Sequence, residues 1–297
     1  MTEKIIIRAK AKINLGLTVH GKRSDGFHEI ESIMQQVSLA DTLLLEDAGG
    51  GETLFHCTDP VLAGSNNLVW KVAEKLISLV GKRMPGVKIV LYKNIPVEAG
   101  LAGGSADAAA ALMGLNVIWK LNLPRMTLLE IGAELGSDIP FCLEGGTALA
   151  RGRGEILEKL PASPFFWVVL ALPLGAKVST AAAYGGFDHR LRGKPSQEQL
   201  VRAIHSGDRK KIHAWMGEEL TNTLATADLP ETRSSKKLKA DLIACGLRPQ
   251  LSGSGPTLFM LFDSLAEAVL ASRTVEQAGA IAYLCWTENA NGSDHHV

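Results

Sequence analysis

The apolar positions of the chain change their spacing several times, and each change predicts a different element. Residues 4–19 are rich in Ile, Leu and Val and carry no helix-capping residue, which favours strands. In residues 65–81 the apolar side chains recur at helical spacing between a Ser–Asn start and a closing glycine, which predicts a helix. Residues 87–92 alternate as a strand does, and the alanine-rich residues 105–120 predict a second helix.

The rest of the chain continues this mixture. Thr127–Glu130 and Ser264–Glu267 have the S/T-x-x-E pattern that opens many helices. Residues 145–160 contain two short runs flanked by glycines, which indicates a hairpin, and the apolar run Phe165–Leu172 predicts a buried strand. Helices and strands follow one another without a regular βαβ alternation, which is typical of the α+β class.

The length of the chain and one proline-rich stretch indicate the domain organisation. With 297 residues, the chain exceeds one ordinary small domain. Pro161–Pro164 (PASP) marks a boundary between a domain of residues 1–160 and a domain of residues 161–287. Residues 288–297 are polar and predict a disordered tail.

The amino-acid composition limits the kinds of molecule that the protein is expected to bind. Lys+Arg and Asp+Glu number 31 each, and this balance gives no support for general binding to nucleic acids or membrane surfaces. The basic stretch Arg233–Lys239 would support a nucleic-acid-binding domain, but a solvated helix face explains it better. The N-terminus carries no signal sequence or transmembrane run, and the four cysteines form no C-x-x-C pair, so we expect a cytoplasmic protein with reduced thiols.

The strongest chemical signal is the glycine-rich segment Pro96–Asp107, PVEAGLAGGSAD, between a predicted strand and a predicted helix. Glycines let the backbone approach a ligand closely, and the positive end of the helix dipole favours an anion, usually a phosphate. The segment matches neither the Walker A loop nor the G-x-G-x-x-G fingerprint, and a flexible turn is the alternative. Ser105 could cap the helix or reach Mg²⁺ or a phosphate, and Asp107 could be structural or metal-binding.

Two charged side chains stand where burial would be costly. Lys12 and Asn14 share one face of a predicted strand, between apolar neighbours. A lysine there needs an anionic partner, so Lys12 belongs either to a site or to an edge strand from which it reaches solvent. Asp138, in the stiff sequence Gly136–Phe141, is either a positioned base or the cap of the next turn.

These three fragments, in this order, resemble the GHMP kinase superfamily of galacto-, homoserine, mevalonate and phosphomevalonate kinases. Pro96–Ala106 looks like the P-x-x-x-G-L-G-G-G-S-S phosphate loop of that superfamily, and Leu251–Thr257 (LSGSGPT) looks like its C-terminal glycine motif. Arg23–His28 (RSDGFH) and Val178–Tyr184 (VSTAAAY) are similar to the branch whose acceptor is a cytidine diphosphate-linked methylerythritol. The motifs span residues 9–257, which is most of the chain.

The resemblance implies a two-domain α+β fold. The N-terminal, ATP-binding domain would be like the second domain of ribosomal protein S5, the C-terminal domain would be ferredoxin-like, and the active site would lie in the cleft between them. The implied reaction transfers the γ-phosphate of ATP, with Mg²⁺, to the 2-hydroxyl of the methylerythritol, a step of the non-mevalonate isoprenoid pathway. The implied partner is this small molecule, with no nucleic acid and no membrane.

The resemblance also implies roles for individual residues. Asp138 would act as the base, and Lys12 would be its partner and a charge stabiliser. His28 would read the cytosine, with Phe27 as its apolar neighbour, and Asn14 would hold the erythritol. The nucleotide-binding set would be Asn67, Lys93, Pro96, Gly100, Leu101, Ala102, Gly103, Gly104, Ser105 and Ala106, and the acceptor set would be Asn14, Phe27, His28, Asp138, Thr180 and Tyr184.

Three positions depart from the usual pattern of the superfamily. Ala102 stands where many members have glycine, so we expect a negative φ at this residue. Ala106 replaces a common serine, which removes a possible hydroxyl contact with a phosphate. Phe27 replaces a common tyrosine, which keeps the ring and removes one phenolic hydrogen bond.

Two other functions remain to be compared with this one. A kinase of the same superfamily that acts on homoserine, mevalonate or a sugar would not explain Asp25–His28. A non-catalytic relative that binds a nucleotide as a sensor would not need both Lys12 and Asp138. Phosphoryl transfer to a cytidylyl-linked acceptor accounts for all of these residues together.

Overall fold

The N-terminal half of the protein is built on a six-stranded sheet. The computed structural model of the chain describes residues 4–49, 51–81, 84–188, 190 and 193–289. The strands of this first sheet are β1 (Lys4–Lys22), β2 (His28–Asp47), β3 (Thr53–Cys57), β4 (Val87–Tyr92), β5 (Thr147–Gly152) and β6 (Ile156–Lys159). Their order is β3-β4-β2-β5-β6, and β1 pairs with β2 in addition. Only the β3–β4 pair is parallel among these pairings.

The long strand β2 organises this sheet because three strands pair with it. β1 pairs antiparallel with β2 from Lys4–Glu46 to Lys22–His28. On the other edge, β4 pairs with residues 42–47 of β2 and β5 pairs with residues 30–35. β1 has β2 as its single described strand partner in this sheet, yet its centre is buried because other segments cover its free side, including Leu101 of the glycine-rich segment and Thr221 of the C-terminal half.

The α-helices described in this half lie between β3 and β5 in the sequence and form a core with the sheet. They are α1 (Leu68–Val80), α2 (Gly103–Ile118), α3 (Arg125–Leu135) and α4 (Ile139–Glu144). The alanines of α2 are buried, and their small side chains let this helix lie close to the strands. A Cβ atom added to Gly114 of α2 would lie 2.6 Å from Leu45 Cδ1 and 3.2 Å from Ile7 Cδ1, so β1 and β2 directly contact the helix.

The C-terminal half contains a second, four-stranded sheet. Its strands are β7 (Trp167–Pro173), β8 (Gln250–Leu251), β9 (Leu258–Phe262) and β10 (Ala280–Trp286), all paired antiparallel in the order β10-β7-β9-β8. Between β7 and β8 come α5 (Thr180–Gly185), α6 (Glu198–His205), α7 (Arg209–Met216) and α8 (Arg233–Ala244), and α9 (Leu265–Gln277) joins β9 to β10. If the four strands of this sheet are numbered 1 to 4 along the chain, their order in the sheet is 4-1-3-2. This order confirms the expected ferredoxin-like fold of the C-terminal domain.

Local sequence patterns located most elements, and two helix starts differ. The predicted strand at residues 87–92 and the predicted helix start at Ser264 are confirmed, because Ser264 accepts a hydrogen bond from the Glu267 backbone N–H. Ser105 does not cap α2, since that helix begins at Gly103 after Ala102. Thr127 lies inside α3, which begins after Pro124 at Arg125, so the capping pattern there was misleading.

The two halves share one hydrophobic core across the predicted boundary. Residues 160–166 connect β6 to β7 without regular structure. Ile13 and Leu15 of β1 belong to the same buried cluster as Phe166, at the end of this connection, and Val168 of the C-terminal half. Two domains that share a core are expected to hold a fixed relative position, which a cleft between them requires.

The predicted tail begins later than residue 288. Glu288 forms a 3.1 Å ion pair with Lys10, and its backbone N–H donates a 2.8 Å hydrogen bond to the carbonyl oxygen of Gln36. These contacts attach Glu288 to the first sheet, so it belongs to the folded part of the chain. Residues 290–297 of the predicted tail lie outside the described residues.

The basic stretch Arg233–Lys239 forms the first part of α8. Lys236 lies 3.2 Å from Asp228, and Lys237 lies 2.9 Å from Asp241, so acidic neighbours balance part of its charge. This arrangement is typical of a solvated helix face. In the described ranges, no helix combines the length and the apolar character needed to cross a membrane.

Candidate active site

A cleft of about 980 Å³ brings together side chains from both halves of the protein. Its wall includes Lys12 of β1, residues 96–105, Asp138 before α4, and Thr180 and Tyr184 of α5. His28 at the start of β2 and Gly253 also line it. With the exception of Ala106, the predicted catalytic, nucleotide and acceptor residues therefore meet in one place, although they are spread over most of the sequence.

The glycine-rich loop is held in place through its carbonyl groups. The backbone N–H of Lys12 donates to Leu101 O (3.1 Å), Ser252 Oγ donates to Gly100 O (3.1 Å), and the backbone N–H of Thr257 donates to Ala99 O (3.4 Å). The carbonyl groups thus point at the protein and away from a ligand. The loop is fastened to β1 on one side and to the C-terminal glycine motif on the other.

The helix that follows the loop presents an uncapped N-terminus to the cleft. Ala102 occupies the N-cap position of α2, and no side chain makes a capping hydrogen bond there. The first N–H groups of any helix lack intrahelical acceptors, and the helix dipole places partial positive charge on them. Gly103, Gly104 and Ser105 of this first turn all line the cleft. This end of α2 is therefore suited to bind a phosphate.

The backbone of the loop corrects the expectation for Ala102. Its φ is +57°, in the left-handed region, and Glu98 and Gly100 in the same loop also have positive φ values of +54° and +75°. A left-handed conformation costs an alanine roughly 1–2 kcal/mol relative to the right-handed one. The hydrogen bonds on both sides of the loop impose this conformation. Their partners lie far from Ala102 in the sequence, so the local pattern does not reveal them.

The glycines of the loop have distinct roles. A Cβ atom at Gly100 would lie 2.5 Å from Ser252 O, so only glycine lets the loop touch the C-terminal motif. A Cβ atom at Gly103 would point inward, 3.0 Å from Ile95 Cγ2, whereas one at Gly104 would meet only Leu68 Cδ1 at 3.7 Å. Gly104 is therefore the glycine whose missing side chain leaves space in the cleft.

Ala106 does not belong to the cleft. Its relative exposure is 1%, and it packs in the core between the helices and the first sheet. Its backbone N–H donates the first helical hydrogen bond, to Ala102 O at 2.9 Å. The prediction that Ala106 contacts the nucleotide is therefore wrong, because a residue at the fourth position of α2 already faces the sheet.

Lys12 and Asp138 form the charged centre of the cleft. The Nζ atom of Lys12 donates to Asn14 Oδ1 at 2.7 Å and lies 3.6 Å from Asp138 Oδ2. Asn14 in turn donates to Ser32 Oγ at 2.7 Å, and Ser32 donates to Gly16 O at 2.8 Å. The Lys12 side chain is 6% exposed, so it does not reach bulk solvent from an edge strand.

The alternative role for Asp138 is also decided by its contacts. It occupies the N-cap position of α4, yet its side chain makes no capping hydrogen bond there. The carboxylate instead lies near the ammonium group of Lys12, and 31% of the side chain is exposed in the cleft. A carboxylate held near a cation and open to a ligand has the placement that a general base needs.

Bulges in β1 position Lys12 and Asn14. The register of β1 on β2 shifts between Lys10 and Lys12 and again between Asn14 and Gly16. Bulges bend a strand and re-aim its side chains, and they occur often beside active sites. The two predicted residues lie between the two shifts, at the place where the strand turns its polar side chains into the cleft.

Three buried ionisable side chains lie beside the start of the glycine-rich loop and hold it in place. Lys93 donates to Asp41 Oδ2 and, at 2.7 Å, to Asp107 Oδ2. Asp41 also accepts the backbone N–H of Ile95 at 2.8 Å, so it fixes the chain that enters the loop. Asp107 Oδ1 has no hydrogen-bond partner among the described residues, and burial raises the pKa of Asp107 to about 7. Asp107 is therefore a structural partner of Lys93 in this conformation.

At the acceptor end of the cleft, Phe27 does not pack against His28 as the resemblance implies. His28 stacks on Tyr184 with ring centroids 5.1 Å apart and meets the edge of Phe187 at 5.7 Å. Burial, and secondarily the charge of Asp138, raises the pKa of Tyr184, so this phenol stays neutral. Phe27 instead lies under the guanidinium group of Arg153, 4.7 Å from its ring centroid. Tyr184 and Phe187, rather than Phe27, brace His28.

Two more predicted residues reach the cleft with their side chains already engaged. Asn67 caps α1 by accepting from the Val69 backbone N–H at 2.9 Å, and its amide donates to Leu62 O at 2.9 Å. Thr180 Oγ1 lies 3.4 Å from Ser254 Oγ, which joins α5 to the C-terminal glycine motif. Both residues shape the wall of the cleft through these bonds.

Sequence reasoning missed three groups at the site: Ser32 behind Asn14, Asp41 behind Lys93, and Arg153 over Phe27. Ser32 and Asp41 lie in the long strand β2, where no local motif distinguishes them from the other polar residues of the strand. Arg153 had a visible signal, since Gly152 and Gly154 flank it and both have positive φ values, +72° and +115°. An arginine between two such glycines is presented by a tight turn.

Comparisons with known proteins agree with this geometry. The family model described as GHMP kinases N terminal domain matches residues 67–146, and the one described as GHMP kinases C terminal matches residues 200–281. A protein of Exiguobacterium sibiricum named 4-diphosphocytidyl-2-C-methyl-D-erythritol kinase is 45% identical over 87% of this chain and 89% of its own length. This chain belongs to the GHMP kinase family. The Moorella thermoacetica protein of the same name is 43% identical over 92% of this chain and 95% of its own.

Solved structures place this GHMP kinase in the same fold. The crystal structure of a 4-(cytidine 5'-diphospho)-2C-methyl-D-erythritol kinase has a TM-score of 0.78 and 31% identity, covering 96% of this chain and 100% of that one. A homoserine kinase from Cytophaga hutchinsonii has a TM-score of 0.70 at 19% identity, which shows the fold alone, over 97% of this chain and 96% of that one. The expected two-domain α+β GHMP kinase fold is thereby confirmed.

The first prediction for this GHMP kinase concerns Gly104. We expect Gly104→Val to lower the affinity for a non-hydrolysable ATP analogue by roughly 5- to 100-fold, as an overpacking cost of about 1–3 kcal/mol would. The fold should persist, because the added side chain meets only Leu68 at ordinary contact distance. Calorimetric titration measures the affinity, with Gly104→Ala as a graded comparison and thermal unfolding as the check on folding. Unchanged affinity would place the phosphates elsewhere.

The second prediction is a pH dependence of stability carried by Asp107. Its pKa in the folded state, about 7, is raised above the ordinary 3.8 by burial. Between these values the folded state holds a proton that the unfolded state has released, so this stabilisation is complete below pH 3.8 and is lost as pH rises through 7. Asp107→Asn cannot titrate, so its stability relative to the wild type should increase between pH 5 and pH 8. Urea unfolding at both values tests this, and a constant difference contradicts it.

Proposed function

We propose that this GHMP kinase transfers the γ-phosphate of ATP to the 2-hydroxyl group of 4-diphosphocytidyl-2-C-methyl-D-erythritol, a step of the non-mevalonate route to isoprenoid precursors. The observation that carries this proposal is the position of the Lys12–Asp138 pair. It lies in one cleft with the uncapped end of α2 and with the His28–Tyr184 stack. The relatives named for this substrate, at 39–45% identity, support the choice of acceptor.

The nucleotide end of the cleft supplies electrostatic stabilisation. Phosphoryl transfer requires a nucleophile in line with the leaving oxygen and donors for the charge that spreads over the transferred group. The free N–H groups in the first turn of α2 would bind the phosphates, as helix N-termini commonly do. The fixed carbonyl groups of the loop keep these donors in place before the nucleotide arrives.

The catalytic step is assigned to two side chains. Asp138 accepts the proton of the acceptor hydroxyl as that oxygen attacks the γ-phosphorus, while the bond from the γ-phosphorus to the β–γ bridging oxygen breaks and ADP leaves. Lys12 compensates the charge of Asp138 and provides a cation beside the transferred group. The distance of 3.6 Å between Nζ and Oδ2 leaves a carboxylate oxygen available to the hydroxyl. Asn14 holds Lys12 in this position through its 2.7 Å hydrogen bond.

Mg²⁺ fits this cleft as a companion of the nucleotide. The ion binds hard oxygen ligands, keeps several waters, and is usually held by substrate phosphates with one or two protein oxygens. The hydroxyl of Ser105, in the first turn of α2 and in the wall of the cleft, would be such an oxygen. When bound, Mg²⁺ supplies positive charge to the phosphate oxygens.

A substrate panel tests this function. Purified protein and MgATP are mixed with 4-diphosphocytidyl-2-C-methyl-D-erythritol, homoserine, mevalonate or galactose, and release of ADP is followed. We expect ADP only with the cytidylyl compound. Turnover of another acceptor at a higher kcat/KM would assign the protein to another GHMP kinase activity. Binding of ATP without turnover of any acceptor would indicate a nucleotide sensor.

A further inference from the structure

Arg153 is a cation in the cleft for which the proposed mechanism gives no role. It lies in the turn between β5 and β6, where its backbone N–H donates to Glu155 Oε2 at 2.6 Å. Its side chain is 24% exposed and lines the cleft. Glu155 forms an ion pair with this guanidinium group through Nε alone, at 3.5 Å, so the fork of the group can still bind a second anion from a ligand.

Three contacts fix the direction of this guanidinium group. Nη2 donates to Ala133 O at 3.1 Å, Nε lies 3.5 Å from Glu155 Oε1, and the Cζ atom stands 4.7 Å above the centre of the Phe27 ring. These contacts engage Nε and Nη2. Among the described residues, they leave the N–H groups of Nη1 as donors for a ligand. The group is therefore oriented before any ligand binds.

The position of Arg153 lies between the two ends of the acceptor site. On one side it covers Phe27, the chain neighbour of His28, which is assigned to the cytosine. On the other side, a Cβ atom on the adjacent Gly154 would lie 3.8 Å from Ser137 Cβ, next to the proposed base Asp138. An acceptor that extended from His28 to Asp138 would therefore have its middle portion, a diphosphate, near Arg153.

The other cations of the cleft suit this task less well. Lys12 is bound to Asn14 and lies beside Asp138, and Lys93 is held by two buried carboxylates. Lys22 lines the cleft but is an exposed lysine. Arginine presents planar donors that match phosphate oxygens bidentately, and its fixed orientation reduces the entropy lost on binding.

We propose that Arg153 binds the diphosphate group of the acceptor and selects diphosphate-linked acceptors over those without phosphates. This inference rests on the proposed function, which supplies the identity of the acceptor. Arg153 acts in binding and takes no part in the proton transfer.

The test compares two ligands that differ only in the diphosphate. Calorimetry measures the affinities of the wild type and of Arg153→Gln for CDP and for cytidine, without ATP. The wild type should prefer CDP, and Arg153→Gln should lose roughly 10- to 100-fold in affinity for CDP, the range for a hydrogen bond to a charged group, with little change for cytidine. Arg153→Lys should keep part of the preference. In steady state, KM for the full acceptor should rise while kcat and KM for ATP stay nearly unchanged.

Arg151→Gln is the matched control, because Arg151 lies in the same hairpin but pairs with Glu31 and Glu158 on the exposed side. It should behave as the wild type does. An equal loss of affinity for CDP and cytidine in Arg153→Gln would mean that Arg153 acts only by packing on Phe27, and the inference would be overturned. Unchanged affinities would overturn it too. A wild type that turns over the acceptor keeps the proposed function standing in either case, whereas a wild type that binds neither ligand removes both proposals.

Discussion

Replacing Asp138 by Asn is expected to lower kcat by roughly 10²–10⁴, the usual contribution of a positioned general base. The amide has nearly the same shape as the carboxylate, so the 3.6 Å approach to Lys12 Nζ can be kept while the proton acceptor is lost. Binding of ATP should change little, because the phosphates are assigned to the first turn of α2. Residual activity is expected, since positioning and charge stabilisation remain.

Initial rates with MgATP and the cytidylyl acceptor measure this effect, and calorimetry with an ATP analogue measures nucleotide binding separately. Asp25→Asn is a suitable comparison. That carboxylate lies near the acceptor end but pairs with Arg23 at 3.0 Å, away from Lys12. It should keep most of the turnover. A rate for Asp138→Asn close to that of the wild type would remove Asp138 from the role of base.

The second large effect concerns recognition of cytosine by His28. The wild type should discriminate by roughly 10⁴ in kcat/KM against free methylerythritol 4-phosphate. This compound lacks the cytosine, so the polar groups that hydrogen-bond the base are left unpaired when it binds. A neutral imidazole offers one donor and one acceptor to the edge of a base. The stack on Tyr184 and the edge contact with Phe187 fix the plane of this ring and therefore the directions in which its two nitrogens point.

His28→Ala should therefore raise KM for the cytidylyl acceptor while leaving KM for ATP nearly unchanged. Tyr184→Phe is the paired variant, since it keeps the ring that stacks on His28 and removes only the hydroxyl group. Its effect should be smaller than that of His28→Ala. If the truncated phosphate is turned over as well as the full acceptor, the cytosine is not being read and the assignment fails.

Periodicity predicted the elements that local sequence determines. The strand at residues 87–92 and the helix of residues 65–81 were found, because alternation and helical spacing depend on nearby residues alone. The start of α2 was misplaced by two residues. Glycine has low helix propensity, so the sequence predicts a loop at Gly103 and Gly104. In the structure, hydrogen bonds to Ala99, Gly100 and Leu101 fix the loop before them, and both glycines lie in the first turn of α2.

The candidate site was predicted as far as its motifs extended. Lys12, Asp138 and the loop stood out because each fragment has an unusual local composition. One of the two carboxylate partners of Lys93 could not be found in this way, since Asp41 lies 52 positions away on another strand. The positive φ at Ala102 was missed for a related reason. Contacts with Ser252 and Thr257 from the other domain fix the loop, and no local rule contains them.

The attachment of the loop to both domains has a consequence for unfolding. The carbonyl groups of Ala99 and Gly100 are bonded to the C-terminal half and that of Leu101 to β1, so the loop cannot keep its shape if either half opens. A nucleotide at 100 times its Kd adds about 2.7 kcal/mol to the folded state. Because this ligand needs the intact loop, the added free energy opposes the opening of each half equally, and bound nucleotide makes the two halves a single cooperative unit.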